Sequence, residues 1–238
     1  MKVAIMQPYF FPYIGYYQLM HEVDTFVIFD DANFIKKGWV HRNQILMDGE
    51  PHPFILPIQK MSQNKLISEH ERALIEETVF KQIKQLRHAY HNAPYFEEAM
   101  PVLESCLTYP ETNVAAYLSH GLIEVVRYLG IDSTILRTSD LQPNRELKGQ
   151  ERIIDYCQQL DATHYINAIN GMSLYDQKSF QRVGIELSFL QSELPAYKQG
   201  TDTFHPYLSI IDCMMNCSID EIHHMLHAYD LVTNRQTT

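Results

Sequence analysis

Asp30 and Asp31 are adjacent carboxylates that follow an apolar, β-branched run at residues 25–29. Carboxylates at such a place can accept a proton from an attacking group, bind a sugar hydroxyl or hold a divalent cation. The competing reading is a solvated turn at a strand end, where Asp is common. Gln7, Pro8, Tyr9, Pro12, Gly15 and Tyr16 belong to a second stretch, a stiff loop with two prolines and many aromatics just before a helix start. Backbone N–H groups there can bind an anion, and the rings can stack on a base or sugar. The competing reading is a proline-fixed turn that sends its rings into the core. A third stretch, Lys36-Lys37-Gly-Trp39-Val-His41-Arg42-Asn43, is a basic island that holds the chain's only Trp. Arg and Lys beside an aromatic suit a phosphate, a carboxylate or a nucleotide. Its alternative is a solvated loop with an Arg–Asp pair.

Other chemistry is poorly marked. The first loop lacks both the dinucleotide fingerprint and the P-loop pattern. No G-x-S-x-G elbow is present, and no Cys stands in an electropositive loop. His223 and His227 are four apart, but His224 occupies the place where a zinc protease motif needs Glu, and spacing marks no third ligand. Cys213 and Cys217 stand among Ile and Met, as buried structural thiols do. No metal site is therefore expected, and no cofactor is specified.

The elements that must position these residues can be read from hydrophobic period. Residues 3–6, 25–29, 133–136, 164–167 and 185–190 read as strands, with helices at 13–22, 113–129, 150–160 and 173–183 between them. Two further helices, at 208–216 and 219–229, finish the chain, and Ser218 with Glu221 forms a capping box for the last. Residues 42–47 and 52–58 flank Asp48-Gly49 and read as a hairpin. Pro51, Pro53 and Pro57 confine it to an edge ribbon. Residues 74–91 and 94–107 read as helices. The expected fold is thus α/β: a doubly wound, mostly parallel five-stranded sheet, Rossmann-like, in a single domain of residues 1–238 with a hairpin and helical insertion at about 33–111. Ligands of such sheets bind beyond the carboxyl ends of the strands. That rule selects residues 7–12, Asp30 and Asp31, residues 138–140, residues 167–171 with Asn170 and Gly171, and Gln191. It also draws in Arg152, placed near a helix start where it can point to the sheet edge.

Composition narrows the function classes. The chain has 238 residues, 45% hydrophobic and 20% charged, with 15 Tyr and 11 Phe, so it is not a disordered chain. Its 19 Lys+Arg and 29 Asp+Glu leave a net charge of −10, which argues against duplex nucleic acid as a partner. No run of about 18 apolar residues is present, so no membrane span is expected. The N-terminal apolar run is too short for a signal-peptide core. Four cysteines without C-x-x-C spacing fit free thiols in the cytoplasm. A homo-oligomer is compatible with all of this.

Taken together, several segments resemble the WbqC-like protein family. They are residues 2–18, 24–31, 37–43, 148–165, 171–189, Tyr197-Lys-Gln199, and 204–216, which contains Asp212. The resemblance spans nearly the whole chain in order. It implies a role in surface polysaccharide or O-antigen synthesis, as a transferase of an acyl or aminoacyl (glycine-type) group to an amino sugar. On that basis the substrate is a nucleotide-linked amino sugar. Arg42 and the basic island would hold its phosphates, and Gln7, Tyr9 and Tyr16 would orient it. Asp30 or Asp31 would accept the amine's proton, and Asp212 would brace the site. Tyr197 and Gln199 join the candidates through their matched segment. The strand, Pro-rich loop and helix also look like the opening of the nucleotidyltransferase superfamily with H-x-G-H loops, where Tyr13-Ile-Gly-Tyr16 would take the motif's place. That likeness implies activation of a small substrate by a nucleoside triphosphate. A third reading is a non-catalytic sugar-nucleotide-binding protein.

Overall fold

A computed structural model describes residues 1–73, 76–142, 144 and 146–233. Side chains alternate along a strand, and strand β1 (Lys2–Met6) uses this to serve two cores. Ala4 enters one, while Val3 and Ile5 enter another on the opposite sheet face. The other strands repeat the division. Strand β2 (Thr25–Ile28) sends Phe26 and Ile28 one way and Val27 the other.

The first core is built with α1 (Ile14–Glu22), α4 (Val114–Leu129), α7 (Ile210–Asn216) and α8 (Ile219–Leu226). The second is built with α5 (Gly149–Gln159) and α6 (Gln177–Arg182). The apolar stripe of α4, including Leu118, Leu122, Val125 and Leu129, is buried. Gly130 ends that helix in the left-handed conformation, at φ 64°, and returns its N–H to the last-turn carbonyls.

The central sheet is completed by β5 (Thr134–Arg137), β6 (His164–Ala168), β7 (Glu186–Ser192) and β8 (Tyr229–Val232), in the order β5-β2-β1-β6-β7-β8. Its first five strands are parallel, so the fold is doubly wound and Rossmann-like, as expected. The strand count is not: there are six. The last helix stops at Leu226, with His227 as its cap, rather than running on to residue 229. Tyr229–Val232 then pairs antiparallel with β7, and Glu193 donates its N–H to the Ala228 carbonyl at the turn into that pairing. A four-residue strand at a sheet edge carries too little period-2 signal to compete with the adjoining helical pattern. His227 consequently lies beyond the helix, against His21 at a ring separation of 4.5 Å. His223 instead meets the Leu129 carbonyl at 2.6 Å.

Between β2 and β5 lie the hairpin strands β3 (Arg42–Met47) and β4 (Glu50–Ile55), then α2 (Glu76–Tyr90) and α3 (Phe96–Thr108). Asp48 and Gly49 both take positive φ, 53° and 80°, as a type I′ turn requires. Among the described residues β3 and β4 pair only with each other, which accommodates Pro51 and Pro53. Helix α2 is described from Glu76; its expected start at Leu74 lies outside the described residues. Pro94 stands before α3 rather than in its first turn. Ile45, Phe54, Leu86 and Tyr90 of this segment enter the first core. Among the described residues, no helix is long and apolar enough to cross a membrane.

The strand order reverses direction between β1 and β6, the topological switch point where sheets of this kind leave a crevice. Registers bring Met6 level with Ile28, Ile28 level with Arg137, and Ala168 level with Leu190. The loops after these residues therefore emerge along one carboxyl edge.

Candidate functional site at the carboxyl edge

Asp30 and Asp31 leave β2 at this edge, but not as a solvated turn: they are 2% and 5% exposed. Their partners come from the next strand and from the opposite helical layer. A single helical turn at Thr138–Asp140, just after β5, brings Thr138 Oγ1 within 2.8 Å of Asp30 Oδ1 and 2.6 Å of Asp31 Oδ1. Its one hydroxyl hydrogen serves one carboxylate at a time. Ser139 donates its backbone N–H to Asp30 Oδ1 at 3.0 Å and its hydroxyl to Oδ2 at 2.6 Å.

Asp31 is met from α5. Arg152 forms an ion pair with Asp31 Oδ2, and the Tyr156 hydroxyl donates to the same oxygen at 2.9 Å. Arg152 and Tyr156 are four apart on the helix, hence on one face. The guanidinium also lies 5.4 Å from the Phe29 ring centre and 5.6 Å from that of Tyr156, within cation–π range of two rings that adjoin each other. Burial pushes the Tyr156 phenol up to about 12; the neighbouring Asp31 adds to the shift and Arg152 opposes it. Arg152 thus reaches the sheet edge rather than lying as a free surface charge. Residues 138–140 are among the strand-end candidates read from sequence, though not as partners of the carboxylates; Tyr156 is not among them. For Tyr156 the four-residue spacing from Arg152 was a usable signal.

The first loop is tied down by two distant segments. Phe11 has a left-handed backbone, φ 43°, unusual for a bulky residue. Its carbonyl accepts from Asn43 Nδ2 at 2.5 Å and from the Ser209 hydroxyl at 2.8 Å. The Ile210 N–H donates to the Pro12 carbonyl at 3.0 Å. Tyr16 is buried and its hydroxyl donates to the Gln7 carbonyl at 2.8 Å, so it braces the loop from within. Gly15 leaves room for the Tyr13 ring, which a Cβ there would approach to 2.4 Å. Pro8, Phe10 and Pro12 are buried, whereas Gln7 and Tyr9 are half-buried at the surface of the loop.

In the basic island, Lys37 and Trp39 are exposed and His41 is buried. Among the described residues Arg42 has no carboxylate partner; it donates to the Lys37 and Gly38 carbonyls and lies 5.7 Å from the Trp39 ring. Burial, then the Arg42 charge, lowers the His41 pKa below its ordinary value. No hydrogen bond joins Lys37, Trp39 or Arg42 to Asp30 or Asp31 among the described residues. Asn43 alone of the island is drawn into the first loop.

After β6, Asn170 is exposed and Gly171 buried. Gly171 permits a close approach: a Cβ there would stand 2.4 Å from Asn167 Oδ1. Tyr197, Gln199 and Asp212 meet one another. The fully buried Asp212 carboxylate accepts from Tyr90 at 2.9 Å, Tyr197 at 2.7 Å and Gln199 at 2.9 Å. Burial raises its pKa, with the three donors pulling the other way. All four cysteines are free and buried.

A mostly parallel, doubly wound sheet with helices on both faces, and hydrogen-bonded carboxylates and an arginine at its carboxyl edge, defines a Rossmann-like class of α/β protein. Within it the chain belongs to the WbqC-like protein family, whose model matches residues 7–224. The chain is 28% identical over 220 residues to an uncharacterized protein of Mycobacterium tuberculosis, covering 90% of this chain and 93% of that one. No solved structure matches.

Proposed function

We propose that the chain is a cytoplasmic transferase of surface polysaccharide or O-antigen biosynthesis, which moves an acyl or aminoacyl (glycine-type) group onto a nucleotide-linked amino sugar at the carboxyl edge. The Asp31–Arg152 pair is the observation that carries this reading. A guanidinium set beside two adjoining rings and paired with Asp31 is oriented before substrate arrives, and its planar fork suits a diphosphate as well as a carboxylate. In the free protein Asp31 accepts from Thr138, Arg152 and Tyr156. Arg152 and Tyr156 both occupy Oδ2, and release of Arg152 frees that oxygen to take a substrate proton. An incoming diphosphate supplies that step by drawing Arg152 away. The sugar amine then attacks the carbonyl of an activated acyl donor. The C–N bond forms, the leaving group departs, and the amine proton passes to Asp31.

The four buried free thiols support a reducing compartment. The saturated hydrogen bonding of Asp30 favours a second reading, a sugar-nucleotide-binding protein without turnover. Thermal shift with UDP-, dTDP- and GDP-linked amino sugars tests both. Stabilisation by at least one, lost in Arg152→Gln, is expected; no shift with any of them overturns the site. Asp31→Asn separates the readings, since transfer predicts retained binding with turnover abolished.

A further inference from the structure

Residues 32–47 and 51–68 hold no Asp or Glu, yet they carry Lys36, Lys37, Arg42, Lys60 and Lys65 in a chain whose 29 acids outnumber its 19 cations. The fold sets these two acid-free stretches side by side. Asn33 bridges to Leu66, and the Phe34 N–H donates to the Lys65 carbonyl at 2.9 Å. The buried Phe34 ring lies 5.5 Å from that of His41 and 4.6 Å from that of His70, and His70 Nε2 accepts from the Ser62 N–H at 3.1 Å. The loops at residues 35–41 and 59–65 therefore share one base.

The first loop opens as a tight turn, with the Gly38 N–H donating to the Ile35 carbonyl at 2.9 Å. Arg42 pins that turn through the Lys37 and Gly38 carbonyls. Ile35 and Trp39 are 50% and 51% exposed and flank the exposed Lys36 and Lys37. In the second loop Met61 is exposed between the exposed Lys60 and Lys65. Among the described residues none of the five cations is ion-paired. Asp31, upstream, is buried on Arg152, and Glu69, downstream, turns its carboxylate to the Leu66 N–H at 2.7 Å. A lone exposed apolar side chain is ordinary, but three interleaved with four lysines on adjoining loops make a patch of defined chemistry.

We propose that this patch docks the protein on an anionic lipid bilayer: the four lysines meet headgroup phosphates, and Ile35 and Trp39 enter the interface between them. A soluble polyanion satisfies the lysines but leaves Ile35 and Trp39 in water, whereas a bilayer offers phosphate and hydrocarbon at adjoining depths. Indole rings settle at headgroup level. The acidic remainder of the chain is repelled by the same surface, which turns this face toward it. Ile35 follows Asp31 by four residues, a reach of at most about 14 Å, so docking keeps the carboxyl edge near the bilayer. Docking does not require the transfer reading, and a failed transfer assay leaves it standing.

Trp39 is the chain's only Trp, so intrinsic emission reports this turn alone. The full chain is mixed with vesicles of equal parts phosphatidylcholine and phosphatidylglycerol, or of phosphatidylcholine alone, and followed by co-sedimentation and emission. Sedimentation with the anionic vesicles only, a blue-shifted emission and release by added salt are expected. The double variant Lys36→Gln, Lys37→Gln is expected to bind about 25-fold more weakly, at roughly fivefold per charge. Trp39→Ala is expected to bind about tenfold more weakly by sedimentation. All three side chains are exposed, so both variants keep the fold, which thermal unfolding checks. Absence of binding to anionic vesicles, equal binding to neutral ones, or binding unchanged in either variant each overturns the proposal. So does free UDP that shifts the Trp39 emission and displaces the protein from vesicles, since that outcome gives the patch to a soluble nucleotide.

Discussion

Arg152 and Asp31 are ion-paired across 121 residues of chain, with side chains 16% and 7% exposed. The pair joins the helical layer on one sheet face to the end of β2. Removing one partner leaves the other charge buried, which costs about 3–5 kcal/mol. Arg152→Ala is therefore expected to lower unfolding free energy by roughly that amount in urea. Arg152→Lys restores only part, because a point charge lacks the fork. Equal stability of wild type and Arg152→Ala would contradict the pairing.

Asn43 and Ser209 both donate to the Phe11 carbonyl. Asn43→Ala and Ser209→Ala are each expected to cost about 1–3 kcal/mol, since each removes a buried donor. The two losses are expected to be non-additive, because one carbonyl is shared. A double-mutant cycle by chemical denaturation reads this directly.

Gly171 faces Asn167 Oδ1 too closely to admit a methyl group. Gly171→Ala is expected to destabilise by about 1–3 kcal/mol, the usual cost of overpacking. Asn167→Ala in the same chain should recover much of that loss. Additive losses in the double variant would count against the close approach.

His21, His41 and His164 all have pKa values lowered, in each case chiefly by burial. Their imidazoles are neutral in the fold at a pH where the unfolded chain protonates them. Below the ordinary value near 6.5 the unfolded state binds more protons than the native state, so stability falls as pH falls. The urea midpoint at pH 5.5 is expected below that at pH 7.5, with a smaller difference in His41→Asn. A midpoint independent of pH over this range, in wild type and variant alike, would remove the effect.

Local signals were legible wherever one element suffices to produce them. The Asp48-Gly49 turn, the Ser218–Glu221 capping box and the Gly130 helix end were all readable, because each is satisfied within a few residues. The five parallel strands were readable from apolar runs, and with them the edge where Asp30 and Asp31 emerge. β8 was not, being a short edge strand defined by its pairing with β7.

The sequence by itself determined the fold class, the family and the set of loops that end on one edge, because hydrophobic period and turn chemistry act at short range. Tertiary structure alone decided which polar groups meet there. Asp31 finds Arg152 and Tyr156, Asp212 finds Tyr90 across 122 residues, and Asn43 leaves the basic island to hold Phe11. These partners follow from the order of strands and the crossing of helices over them. A buried polar group takes whichever partner that packing brings within reach; spacing puts Arg152 and Tyr156 on one helix face but does not say that Asp31 meets them.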